Sequence, residues 1–90
     1  MAGPITLQIC NERGLHARAS AKFVEVVESH QAEAEVKRDG MAVSGDSIMG
    51  LMMLAAANGT SIEVSTDGPD ADELLNALSD LVRNRFGEDR

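Results

Sequence analysis

The chain has 90 residues, enough for one domain with a thin core, because a chain of this size buries only about 60–65% of the surface that it exposes when unfolded. Its 15 acidic residues outnumber its 8 lysines and arginines, for a net charge of −7, which argues against binding to nucleic acid or to an anionic membrane surface. Aromatic residues are nearly absent, so we expect a core of Val, Ile, Leu, Met and Ala.

No segment of the sequence has the pattern of a membrane span or a signal peptide. The longest apolar run, Leu51–Ala57, is far shorter than the roughly 20 residues that a spanning helix needs. The first residues lack the basic and apolar regions of a signal peptide. Cys10 is the sole cysteine, so no internal disulfide can form. We therefore expect a single cytoplasmic domain over residues 1–90.

The first half of the chain predicts a strand, a helix and a hairpin. Residues 5–9 alternate between apolar and polar side chains, as a half-buried strand does. Apolar residues then recur every three or four positions over residues 17–29, which indicates an amphipathic helix. Two more alternating segments, 32–38 and 41–43, flank Asp39-Gly40, a dipeptide typical of tight hairpins.

The second half predicts a short helix, a strand and a long helix. The short helix runs from residue 47 to about residue 55, and residues 60–66 alternate as a fourth strand. The long helix begins at Asp70, whose spacing from Glu73 matches a capping box. Gly87 marks its stop, and we expect the last residues, 87–90, to be frayed.

The order of elements is therefore β-α-β-β-α-β-α. Alternating strands leave one face of a sheet in contact with water, so the helices must cover the other face. The sequence predicts an α+β open-faced β-sandwich, with a four-stranded antiparallel sheet covered on one face by three helices.

One histidine stands at the start of the first helix. His16 precedes the helix, and Arg18 lies in its first turn, where the helix carries roughly +0.5 elementary charge and unpaired N–H groups. A cation there is unfavourable unless an anion binds beside it. Positive surroundings favour neutral imidazole, which has a nucleophilic nitrogen. We therefore predict a phosphoryl group on His16, held by the Ala17 and Arg18 amides and the Arg18 guanidinium.

His16 is also compatible with a purely structural role. A histidine before a helix is often a cap or a solvated side chain, and spacing alone leaves that alternative open. The sequence has no G-x-S-x-G turn, no paired zinc-ligand spacing and no Gly-Lys-Ser/Thr loop for phosphate. It therefore predicts no metal site and no bound cofactor.

The start of the second helix is a candidate for a second site. Ser47 suits an N-cap, and a phosphate added there would be tolerated electrostatically. The predicted buried stripe of this helix comprises Ile48, Leu51, Met52 and Ala55. Met49 and Met53 fall off that stripe, and they fit either gap-filling core residues or a flexible docking surface.

The sequence contains two motifs, "GLHARAS" and "SGDSIMGLMML", which each lie at a helix start and are about 30 residues apart. With these motifs and its order of elements, the chain resembles HPr, the histidine-containing phosphocarrier of the bacterial phosphotransferase system. The resemblance covers nearly the whole chain. It implies that His16 receives phosphate on Nδ1 from Enzyme I and passes it to an enzyme IIA domain, with Arg18 contacting the phosphoryl group. It also implies regulation at Ser47 by an HPr kinase/phosphorylase. The implied docking patch comprises Ile48, Met49 and Met52.

The chain departs from the family pattern at several positions. Ala19 replaces a frequent proline, Asp46 replaces a frequent lysine, and Glu25 and Glu28 replace frequent lysines. These changes favour the nitrogen-regulatory branch, or a branch with truncated sugar transport, over a sugar-uptake carrier without deciding between them. We expect a monomeric relay rather than a stand-alone enzyme. The alternatives are a regulatory binding module of the same fold, acting through Ser47 or docking alone, and a small ligand-binding domain.

Overall fold

A computed structural model describes residues 1–90, and its elements follow the predicted order. The strands are β1 (Ala2–Gln8), β2 (Glu33–Arg38), β3 (Met41–Ser44) and β4 (Ser61–Asp67), and the helices are α1 (Ala17–Glu28), α2 (Ile48–Met53) and α3 (Ala71–Arg83). A 3₁₀ turn, Arg85–Gly87, follows α3. The strands form one antiparallel sheet in the order β1-β4-β2-β3. The predicted open-faced β-sandwich is confirmed. None of the helices is long and apolar enough to cross a membrane.

The core lies between the sheet and the helices, and it differs in composition from the prediction. Both phenylalanines, Phe23 and Phe86, are fully buried among Leu, Ile, Val and Ala side chains. All five methionines are exposed, so the expectation that methionine fills the core is wrong. Fully burying a phenylalanine contributes up to about 3 kcal/mol. Phe86 therefore anchors the chain that follows α3 to the core.

Two details of the helices also differ from the prediction. Helix α2 ends at Met53, because Ala55 adopts a left-handed conformation with φ of +51°. The proposed capping box at Asp70 is wrong. Its carboxylate oxygen Oδ2 accepts a hydrogen bond from the backbone N–H of Gln31 at 2.7 Å and makes none with the start of α3. The Asp70 carboxylate thus binds the loop between α1 and β2 instead of capping α3.

The loop from β1 to α1 is held in place by the segment that follows α2. The backbone N–H of Leu15 donates to the Ala56 carbonyl at 2.9 Å, and Leu15 itself is buried. Gly14 has φ of +68°, and a Cβ there would lie 2.6 Å from the Ala56 oxygen. The turn before His16 therefore needs glycine for both its backbone conformation and its close approach to Ala56.

Gly14→Ala should lower the free energy of unfolding by about 2 kcal/mol or more, because left-handed strain of order 1–3 kcal/mol adds to the clash. Urea unfolding measures the change. Gly59→Ala is the matched control, since Gly59 also has a positive φ, +92°, but has open space around its Cβ position. An equal loss of stability in the two variants would show that the contact with Ala56 does not constrain this turn.

Candidate functional site at the start of helix α1

His16 is the N-cap residue of α1. Its backbone is extended, with φ of −76° and ψ of −179°, and its ring Nδ1 accepts a hydrogen bond from the Arg18 backbone N–H at 3.2 Å. An amide N–H can only donate, so Nδ1 must carry a lone pair. His16 therefore does cap the helix, as the structural alternative proposed. It is also compatible with nucleophilic chemistry, because the lone pair that caps the helix is the one that would react.

The other ring nitrogen of His16 faces a carboxylate. Nε2 lies 2.5 Å from Oε2 of Glu88, and the two side chains are only 17% and 19% exposed. An ionised carboxylate only accepts hydrogen bonds, so Nε2 must carry the proton. The two partners of the ring thus require the same neutral tautomer, with the proton on Nε2 and the lone pair on Nδ1.

The Glu88 carboxylate is supported by a buried amide. Asn11 Nδ2 donates to Glu88 Oε1 at 3.1 Å and to the Gly14 carbonyl at 2.8 Å. Burial alone would raise the pKa of the Glu88 carboxyl. Hydrogen bonds from His16 and Asn11, with the positive charge of Arg13, outweigh burial and lower this pKa below its ordinary value of 4.5. Glu88 therefore faces His16 in its ionised form at neutral pH.

The expectation that residues 87–90 are frayed is wrong. Besides the Glu88 contacts, the backbone N–H of Glu12 donates to the Arg90 carbonyl at 2.9 Å, and Lys22 Nζ donates to the Phe86 carbonyl at 2.6 Å. Sequence reasoning missed both Glu88 and Asn11 as site residues. The one available signal was Phe86, because a rare aromatic residue near the end of a chain indicates that this end packs on the core.

A charged cavity adjoins the pair formed by His16 and Glu88. It has a volume of about 230 Å³ and is lined by Glu12, Arg13, Arg18, Glu88 and Arg90. None of the three arginines takes part in the four ion pairs of the structure. Their guanidinium groups therefore remain available to an anion placed beside the His16 ring.

Ser47 occupies the start of α2, as predicted. Its Oγ accepts a hydrogen bond from the Gly50 backbone N–H at 3.0 Å, which is ordinary N-cap geometry. The neighbouring Asp46 carboxylate accepts a hydrogen bond from Ser44 Oγ at 2.6 Å. Ser47 makes no hydrogen bond to the residues around His16. It belongs to a separate site on α2.

Four apolar side chains of α2 are exposed, and together we call them the α2 apolar patch: Ile48 (40%), Met49 (71%), Met52 (41%) and Met53 (65%). The prediction that Ile48, Met52 and Ala55 lie in a buried stripe is wrong, because Leu51 is the only buried residue of this six-residue helix. An exposed cluster of this kind is typical of interaction surfaces. Its location at the surface agrees with a docking role, which stays a prediction.

The structure brings His16, Ala17 and Arg18 together with Glu88 and Asn11 at one end of α1. The chain contains no group of three or more His, Cys, Asp or Glu residues arranged to hold a metal ion. Cys10 is exposed, and its Sγ lies 3.3 Å from the Val82 carbonyl. It does not contact the His16 site.

Comparison with known proteins identifies the family of this chain. Residues 5–84 match the family model described as "PTS HPr component phosphorylation site", which makes the chain a phosphocarrier component of the bacterial phosphotransferase system. The chain belongs to the HPr family. It is 51% identical over 83 residues to a phosphocarrier protein HPr of Neisseria meningitidis, covering 92% of this chain and 93% of that protein.

Solved structures agree with this assignment. The chain resembles HPr-C-His from Thermoanaerobacter tengcongensis, with a TM-score of 0.93 and 36% identity over 99% of this chain and 100% of that chain. An HPr dimer from the same organism matches with a TM-score of 0.76 and 37% identity over 97% and 100% of the respective chains. Both similarities cover essentially the whole fold.

Proposed function

We propose that this phosphocarrier accepts a phosphoryl group on Nδ1 of His16 from Enzyme I and passes it to an enzyme IIA domain. The observation that supports this most is the tautomer of His16, with its lone pair on Nδ1 and its proton on Nε2. Neutral imidazole with a free lone pair is the nucleophilic form. Membership of the HPr family supports Enzyme I as the donor and an enzyme IIA domain as the acceptor, and the ring geometry supports Nδ1 as the receiving atom.

The transfer would run in line. The Nδ1 lone pair attacks phosphorus while the bond between phosphorus and the donor breaks, and the partner supplies the rest of the catalytic groups. The Arg18 N–H that caps Nδ1 at 3.2 Å is then released and can donate to a phosphoryl oxygen instead. The Ala17 amide is in the first turn of α1, where an N–H has no partner within the helix, and the Arg18 guanidinium adds a charge-assisted donor.

The test is incubation with phosphoenolpyruvate and Enzyme I, followed by mass spectrometry. The parent chain should gain one phosphate that is labile to acid, and His16→Ala should gain none. His30→Ala is the matched control, because His30 is the other histidine and bonds only its own helix end, at Val26 and Ser29. Equal labelling of the parent and His16→Ala would refute the proposal.

We propose Ser47 as a regulatory phosphorylation site for an HPr kinase/phosphorylase. Its hydroxyl caps α2 beside the α2 apolar patch, so a dianion there would alter a partner's approach. Asp46 adds like charge next to that phosphate. Phosphorylation by the kinase should be acid-stable, absent from Ser47→Ala and present in Ser44→Ala, and it should slow phosphoryl transfer to His16. Undiminished transfer to the Ser47-phosphorylated protein would exclude this regulation.

We propose further that the chain works as a monomer in the cytoplasm, in the nitrogen-regulatory branch. Glu25 and Glu28 lie on α1 and Asp46 precedes α2 by two positions, and this negative charge would repel a partner adapted to a basic carrier. Transfer rates to a nitrogen-type and a sugar-type enzyme IIA distinguish the branches, and faster transfer to the sugar type would contradict the assignment.

Light scattering tests whether the chain is a monomer, since a related HPr forms a dimer in a crystal.

A further inference from the structure

A short segment follows α2 and links the α2 apolar patch to the turn that carries His16. The Ala56 carbonyl in this segment accepts a hydrogen bond from the Leu15 backbone N–H at 2.9 Å. The Leu54 carbonyl accepts one from Nη1 of Arg38, also at 2.9 Å. We propose that Arg38 is a positioning residue for partner docking: its guanidinium fixes the end of α2 and so holds the α2 apolar patch in the arrangement that Enzyme I binds. This inference rests on the proposed function of His16 and on the predicted docking role of the patch.

The end of α2 has few other contacts that could fix it. The helix has six residues, and Leu51 is the only buried one among them. Ala55 has a left-handed φ of +51°, so the chain turns away from the helix axis directly after Leu54. The last carbonyls of a helix have no partner within it. The Leu54 carbonyl therefore needs a donor from elsewhere, and the guanidinium of Arg38 supplies it with a charge-assisted hydrogen bond.

Arg38 can serve as this anchor because the sheet holds it in place. It is the last residue of β2, which lies between β4 and β3 in the sheet. Its side chain is only 25% exposed, and its other contact is a 3.7 Å ion pair between Nη2 and the exposed carboxylate of Asp39. Ion pairs at exposed carboxylates contribute little, so the Leu54 carbonyl is its main partner. Arg38 thus connects the end of a short helix to a strand inside the sheet.

The effect on function follows from the population of the binding arrangement. A partner that binds an arrangement present in a fraction of the molecules has its dissociation constant raised by the reciprocal of that fraction. Loss of a hydrogen bond from a charged donor shifts a local equilibrium by roughly tenfold or more. The bound partner itself then holds the patch in place, and the capping contact of His16 at the start of α1 does not involve Arg38. The loss should therefore appear in KM and not in kcat.

The test compares Arg38→Met and Arg38→Lys with the parent chain. Methionine keeps an apolar stem and removes the charge and the donors, whereas lysine keeps the charge and one donor group. Lys37→Met is the matched control, because Lys37 is the neighbouring cation of β2 and its ammonium contacts only the exposed Glu35. The readouts are kcat and KM for phosphorylation by Enzyme I and the carbon-13 methyl NMR signals of Met52 and Met53. All are measured at a temperature at which thermal melting shows every variant to be folded.

We expect Arg38→Met to raise the KM for Enzyme I about fivefold, as when the binding arrangement falls to about a fifth of the population, with kcat within about twofold of the parent. The methyl signals of Met52 and Met53 should shift. Arg38→Lys should recover part of the KM, and Lys37→Met should match the parent in every readout.

A KM within about twofold of the parent in Arg38→Met, or unchanged methyl signals, would overturn the inference. An equal rise in KM for Lys37→Met would also overturn it, because net charge would then explain the effect. Absence of phosphate in the parent would instead refute the proposed function, and the methyl signals would still test whether Arg38 holds the patch.

Discussion

Arg18→Met is expected to lower kcat for phosphorylation of His16 by Enzyme I about 100-fold, while the KM for Enzyme I changes little. Arg18 lines the cavity that adjoins the pair formed by His16 and Glu88, and its guanidinium takes part in no ion pair. Removing one preorganised donor from developing negative charge lowers rates by roughly 10²–10³-fold. Rapid-quench kinetics with phosphorylated Enzyme I measures the change. Arg18→Lys should recover only part of the rate, because it restores the charge without the forked donors.

Arg18→Met also distinguishes a loss of transfer rate from a loss of stability. The first turn of α1 contains no acidic residue, and a cation there is opposed by the helix dipole, by about 0.3–1 kcal/mol at exposed sites. Arg18→Met should therefore melt at the same or a slightly higher temperature than the parent. Arg83→Met makes the same change of charge at an exposed position at the end of α3 and serves as the control for the transfer rate. Equal transfer rates for the two variants would show that Arg18 does not contact the phosphoryl group.

Met49→Glu is expected to raise the KM for Enzyme I about tenfold or more and to leave the fold intact. Met49 is 71% exposed within the α2 apolar patch, and a charge buried in the apolar centre of an interface must be desolvated without a partner. The measurement is initial-rate kinetics over a range of Enzyme I concentrations. Met41→Glu is the control, because Met41 is 44% exposed on β3, outside the patch. An unchanged KM for Met49→Glu would make Met49 an ordinary surface residue.

The sequence was sufficient to predict those parts of the fold that depend on local pattern. Alternation indicated all four strands, and Asp39-Gly40 forms the hairpin with φ of +50° and +83°. Helix α1 begins at Ala17, directly after His16, as the spacing of apolar residues indicated. The position of His16 at a helix start, which motivates the phosphoryl chemistry, was therefore available from the sequence alone.

The rest of the site depends on a contact between two segments that are far apart in sequence. Arg85 and Phe86 have φ of +56° and +55°, and this turn after α3 brings Glu88 to the His16 ring. Neither residue type favours that conformation, so no local pattern predicts the turn. The six-residue α2 is likewise too short for its apolar spacing to define a buried face, and for this reason Ile48 and Met52 were assigned to the wrong side.

The proposed acceptor of the phosphoryl group is Nδ1 of His16. Phosphorus-31 and nitrogen-15 NMR of the phosphorylated protein, labelled with nitrogen-15 in its histidines, tests this directly, because the coupling to phosphorus identifies the bonded nitrogen. We expect phosphorus on Nδ1 of His16 and a retained proton on Nε2, facing Glu88. Phosphorus on Nε2 of His16, or on His30, would contradict it.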